Sequence, residues 1–153
     1  MTWGQLSLRD YVCQLQNVVT SFVHDHGVST APSNHTGVFV SPTAKLASIG
    51  VQVRHRLTTH GFSINITEEP IPWFRQVVAC GLPDTEAVSI AKVKGTAITV
   101  NDSFEGLKAH FETHFGTELH PAFQSNDKEV REMLFELEAT AAEAGPWKRG
   151  PGQ

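Results

Sequence analysis

Two alternating runs, a few residues apart, constrain this chain more than anything else in it. Ile49, Val51 and Val53 alternate with Ser48, Gln52 and Arg54, and Phe62, Ile64 and Ile66 alternate with Ser63, Asn65 and Thr67. A period of two belongs to a strand with one face buried. Joined only through Arg54 to Thr59, the two runs are expected to pair as antiparallel strands. Such a hairpin needs other elements over its apolar face to be stable. Ser7 with Asp10 resembles a helix start, and Tyr11, Leu15, Val18, Val19 and Phe22 then share one face until Gly27 ends the pattern. That helix is expected to pack on the sheet, with Cys13 as a buried, unreactive thiol inside it.

The remaining elements follow the same logic. Val38 and Val40 suggest a short strand after the polar linker from Ser29 to Asn34. Beyond Pro70 and Pro72, short helices are expected over residues 73–78 and 85–92. Ala97 to Val100 reads as a strand or an extended lead into Asn101 and Asp102, which cap a helix carrying Phe104, Leu107, Phe111 and Phe115 on one face. Asn126 and Glu129 pair at the start of the last helix, where Val130, Met133, Leu134, Leu137 and Ala141 keep helical spacing up to Gly145-Pro146. That stripe is expected to be core. Strands and helices mixed in this order predict an α+β class, with one domain over 1–145 and a frayed tail over 146–153.

Composition removes several kinds of function. The formal charge of −4 and the lack of any Lys/Arg run argue against nucleic acid as a partner. No run reaches the 18 or so apolar residues of a membrane span, and no presequence is evident at the start. Cys13 and Cys80 are the only cysteines, too few for a disulfide framework.

Cys80 is the residue with the most chemistry in it. The apolar run Val77-Val78-Ala79 stops at this thiol, and Gly81 and Pro83 then turn the backbone, a setting that can present a side chain at the mouth of a pocket. A thiolate attacks a carbonyl and leaves again, which suits acyl transfer, and a neighbouring cation favours its ionised form. His110 and His114 share a helical face, but His-Phe-Glu-Thr-His lacks the His-Glu-x-x-His order of zinc proteases, and His24-x-His26 is no better. No metal site is expected.

KLASIGVQVRHRLTTHGFSIN from Lys45 to Asn65 and VVACGLPDTEAVSI from Val77 to Ile90 closely resemble the lipoyl(octanoyl) transferases, as do LSLRDYV from Leu6 and HTGVFV from His35. The likeness extends to about Val93. It implies the fold of the biotin and lipoate protein ligase catalytic domains, similar to that of class II aminoacyl-tRNA synthetases. It also implies transfer of an octanoyl group from octanoyl-acyl carrier protein, through a thioester on Cys80, to a lysine of lipoyl domains, those of 2-oxoacid dehydrogenase E2 subunits and the glycine cleavage H protein. Lys45 matches the family's lysine and becomes the expected activator of Cys80. Ser48, Ile49, Gly50, Gly61, Phe62 and Ser63 match segments lining the substrate site, with His60 as a possible contributor beside them and Phe62 packing on the acyl chain. No cofactor is implied, because the incoming thioester is already activated; biotin and lipoate ligases, which use ATP, fit less well. The extended wording resembles fungal members and implies mitochondria, whereas a bacterial member would be cytoplasmic.

One part of the family pattern is missing. The Arg-Gly-Gly and Tyr-His-Gly-Pro-Gly-Gln segment that precedes the LSLRDYV-like helix in the family has no counterpart, since Met1 to Gln5 lead directly into it. The terminal Gly150-Pro151-Gly152-Gln153 is read as coincidence. An N-terminally truncated catalytic domain is therefore expected. The alternative to the transferase is a catalytically weak remnant that still binds a lipoyl domain or acyl carrier protein.

Overall fold

The computed structural model describes residues 6–55, 57–76, 84–95 and 97–145, and the side chains of all of these except His60 and Phe123. The chain divides into two compact units, Met1–Thr117 and Glu118–Gln153.

The first unit is a small mixed sheet with helices. Helix α1 (Leu8–Asp25) starts where Ser7 accepts a hydrogen bond from the Asp10 N–H at 3.1 Å and donates its hydroxyl to Asp10 Oδ2 at 2.7 Å. Strands β1 (Val38–Ser41), β2 (Ala44–Arg54) and β3 (Leu57–Ile64) form an antiparallel meander with β2 in the middle. The hairpin is tighter than its sequence suggested, because Arg54 already pairs with Leu57. His55 lies in that turn at φ 49°, the left-handed value that two-residue hairpin loops require. After the short helix α2 (Ile71–Phe74), strand β4 (Glu86–Ala87) pairs parallel with the start of β2. Helices α3 (Ile90–Lys94) and α4 (Val100–Phe115) follow.

Several sequence expectations are corrected here. Residues 85–92 were expected as one helix, but Glu86 and Ala87 join the sheet and Ser89 caps a helix that begins only at Ile90. Helix α4 is capped by Thr99, whose side chain accepts from Asp102 N–H, rather than by Asn101 or Asp102. Cys13 is exposed. It lies two positions from Leu15, and at 3.6 residues per turn that carries it off the buried stripe.

Two apolar clusters hold the unit together. In the first, Val19, Phe22 and Val23 of α1 pack on Val38, Ala44, Leu46 and Ala47 of the sheet and on Val88 and Ile90. In the second, Leu15 and Val18 meet Phe115, with Tyr11, Ile49, Val51, Phe62 and Phe111 around them. Full burial of each such side chain contributes roughly 1.5–3 kcal/mol. Gly106 of α4 makes the helix approach possible, since a Cβ there would lie 3.2 Å from the Phe22 ring. At the end of α1, Asp25 Oδ2 meets His110 Nε2 at 2.7 Å, and Ser21 Oγ meets His114 Nε2 at 2.9 Å, so both histidines of the sequence pair tie α4 to α1.

The second unit contains a 3-10 turn (Ala122–Gln124) and helix α5 (Lys128–Ala144). Asp127, and not Asn126, caps α5, its carboxylate accepting from Glu129 N–H at 2.9 Å. The stripe expected as core is exposed, with Met133 at 63% and Leu137 at 65%. Helical spacing reports that a face is apolar and leaves open what covers it. No helix among the described residues is long and apolar enough to cross a membrane.

Candidate active site

Lys45 stands at an irregularity of β2. Val38 pairs with Ala47 but Phe39 with Lys45, so one step along β1 corresponds to two along β2 and Leu46 has no partner on β1. This is a β-bulge. The carbonyls confirm it: Lys45 O accepts from Val88 N–H at 3.0 Å and Leu46 O from Asn65 N–H at 3.1 Å, and Asn65 Nδ2 itself bonds Val88 O at 3.1 Å, so two successive carbonyls serve the same edge. In a regular strand they would face opposite edges.

The bulge leaves Lys45 paired across the ladder with Phe39, and only 7% exposed. Its Nζ lies 5.5 Å from the centre of the Phe39 ring, where the negative face of an aromatic attracts a cation. Gly37 makes the room. A Cβ on Gly37 would fall 2.7 Å from Lys45 Cε and 2.6 Å from Ala47 O, and its φ of 134° disfavours any L side chain. Gln16 of α1 holds this glycine from outside by donating Nε2–H to its carbonyl at 3.0 Å. Neither Gly37 nor Gln16 was singled out from sequence; a glycine just before a strand facing a lysine was the available signal for the first, and nothing marked the second.

The substrate-site residues expected from sequence come together further along the hairpin. Ser48 pairs with Ser63, Ile49 with Phe62, Gly50 with Gly61 and Val51 with His60. Ser48, Ile49, Gly50, Gly61, Phe62 and Ser63, joined by Val51 and Gln52, line one open concavity of about 860 Å³. Alternation sends Ile49, Val51 and Phe62 to the helical layer, where they meet the second apolar cluster. The paired serines and paired glycines floor the opposite face. Neither Gly50 nor Gly61 has a positive φ, and a Cβ on either would meet nothing within 4 Å. The fold does not demand glycine at these positions; the concavity keeps the space.

Strand β4 brings one more stretch of chain to Lys45. Ala87 pairs with Lys45 and Glu86 with Ala44, and Glu86 N–H donates to Thr43 O at 2.8 Å. Cys80 itself falls in residues 77–83, outside the described residues.

A match to the model of the lipoyl protein ligase A/B catalytic domain covers residues 2–112. An octanoyltransferase of Arthrobacter sp. (strain FB24) is 30% identical over 113 residues, 70% of this chain and 50% of that protein. A mitochondrial octanoyl-[acyl-carrier-protein]:protein N-octanoyltransferase of Xenopus tropicalis is 30% identical over 69% of this chain and 44% of its own length. A probable octanoyltransferase of Schizosaccharomyces pombe is 33% identical over 50% of this chain and 35% of that protein. The chain thus spans about half the length of the curated relatives it matches. Among solved structures, a crystal structure of lipoate-protein ligase A bound with ATP shares the fold, with a TM-score of 0.56 at 9% identity, over 91% of this chain and 58% of that one.

Proposed function

The chain belongs to the lipoyl protein ligase A/B catalytic domain family, and on that premise we propose that it moves an octanoyl group from octanoyl-acyl carrier protein to a lysine of a lipoyl domain. The acceptors under this reading are 2-oxoacid dehydrogenase E2 subunits and the glycine cleavage H protein. The observation that carries the reading is the arrangement along β2: a buried lysine at one end and a glycine-floored concavity on the hairpin that continues from it.

The proposed chemistry runs in two halves. The Cys80 thiolate attacks the thioester carbonyl, the bond from carbonyl carbon to phosphopantetheine sulfur breaks, and the departing thiolate takes up the proton that Cys80 released. The neutral ε-amine of the acceptor lysine then attacks the acyl-cysteine, an amide forms, the carbon to Cys80 sulfur bond breaks, and the departing Cys80 thiolate takes up the proton that the amine gives up. The Lys45 ammonium favours the thiolate before attack and the oxyanion during it. Lys45 is held by its neighbours on the sheet, so its charge needs little reorganisation. The acyl chain lies over Gly50 and Gly61, where the missing side chains let it approach the backbone, while Phe62 and Ile49 face the helical layer on the other side of the hairpin. His60 of the same hairpin is proposed as a further substrate contact. On the same reading the protein works in mitochondria, as the name of the Xenopus tropicalis relative says of that protein.

The test is intact mass after incubation with octanoyl-acyl carrier protein. An octanoyl adduct is expected on the wild-type chain and on Cys13→Ser, and none on Cys80→Ser. An adduct that survives in Cys80→Ser removes Cys80 as nucleophile. No adduct on any form, with the carrier still bound, favours a binding module over an enzyme.

A further inference from the structure

Charge is distributed along this chain in a way that the proposed chemistry does not use. From His26 to Thr67 there is no Asp or Glu, so all 16 of the chain's acidic residues lie outside the stretch that makes β1, β2 and β3. Its formal charges are Lys45, Arg54 and Arg56, in a chain whose net charge is −4. Lys45 is buried. Arg54 is exposed at the hairpin turn and is in no ion pair among the described residues. One apolar side chain stands beside it in water, Leu57 at 73% exposure. Leu57 is the residue paired with Arg54, so the two share one face of the hairpin.

From this combination we infer that the β2–β3 turn is a docking surface for an acidic protein, and that its partner is the carrier delivering the acyl thioester. The inference rests on the proposed function for the identity of the carrier, and on charge and exposure for the surface. A cation in no ion pair among the described residues keeps its charge for an incoming carboxylate, and the lack of acids over β1, β2 and β3 removes like-charge repulsion as an acidic surface approaches the turn. Leu57 supplies the apolar contact that such a patch needs. From the turn, the neutral face of Gln52 and Thr59, then Gly50 and Gly61, then Ser48 and Ser63, leads along the same hairpin toward Lys45. A carrier seated at the turn has an uncharged path along which to lay its thioester arm.

The experiment measures binding of octanoyl-acyl carrier protein to the full chain, by titration at two salt concentrations. Wild type is expected to bind and to weaken about fivefold or more between 50 and 300 mM salt, as screening predicts for an exposed charge contact. Arg54→Glu is expected to weaken binding about tenfold at low salt. Leu57→Ser is expected to weaken it about threefold with an unchanged salt slope. All three proteins should share one melting temperature, since both positions are exposed. Binding insensitive to salt and to Arg54→Glu overturns the inference, as does no binding at all. Loading of Cys80 from octanoyl-pantetheine, a donor with neither protein nor charge, is the control and should be equal in wild type and Arg54→Glu. Failure of that loading in wild type counts against the proposed function alone.

Discussion

Lys45 shows how much one position can ask of its neighbours. Its burial depends on Gly37 having no side chain, on Phe39 lying under the ammonium and on the bulge at Leu46. Gly37→Ala forces a Cβ against Lys45 Cε and Ala47 O at a φ that alanine avoids, and should cost about 2 kcal/mol or more of stability. It should also displace the lysine. Lys45→Met keeps much of the volume and removes the charge, so the pH profile for alkylation of Cys80 should move upward while the melting temperature changes little. A profile identical to wild type takes Lys45 out of the electrostatic role. At this scale the sequence was legible where a family motif exists and opaque elsewhere. The resemblance singled out Lys45 and the serines and glycines that the hairpin pairs, whereas Gln16 is a polar residue on a helix face until the fold sets it against the Gly37 carbonyl.

At the scale of elements, the β2–β3 hairpin was readable because period-two alternation is a local signal, and α1 because its cap and apolar stripe are local too. Strand β4 was not. Its two residues exist as a strand only because β2 offers an edge beside Lys45, and a pairing of so few residues leaves no periodicity to find. The hairpin also carries a prediction that separates structure from function. Gly61→Val places a β-branched side chain, favoured in strands, where nothing of this chain lies within 4 Å. The melting temperature should hold or rise, while octanoyl loading of Cys80 should fall by about tenfold or more as the side chain fills the proposed acyl floor. Equal loss of both would make Gly61 a structural glycine.

For the whole molecule, every residue of the buried apolar core among the described residues lies between Leu15 and Phe115. A chain ending after Thr117 should therefore keep a cooperative thermal transition within a few degrees of the full chain, measured by circular dichroism. Loss of that transition would show that residues 118–153 help to hold the first unit. The α5 stripe marks the limit of reading at this scale: Val130, Met133 and Leu137 have core-like spacing, and their exposure depends on what surrounds the helix, which no local pattern encodes. The α+β class followed from element order alone, while the ligase-like architecture needed the resemblance.

The bulge at Leu46 has a consequence for how this strand tolerates change in length. It acts as a phase shift between two stretches of β2, so that Ala44–Lys45 and Ala47–Arg54 each keep their own rhythm of inward and outward residues. Loss of Leu46 would put the two stretches back in step. Lys45 and the Gly50–Gly61 floor could then no longer be aimed independently, although every residue type that matters would still be present. A gap of one here is a heavier change than most substitutions of the residues around it.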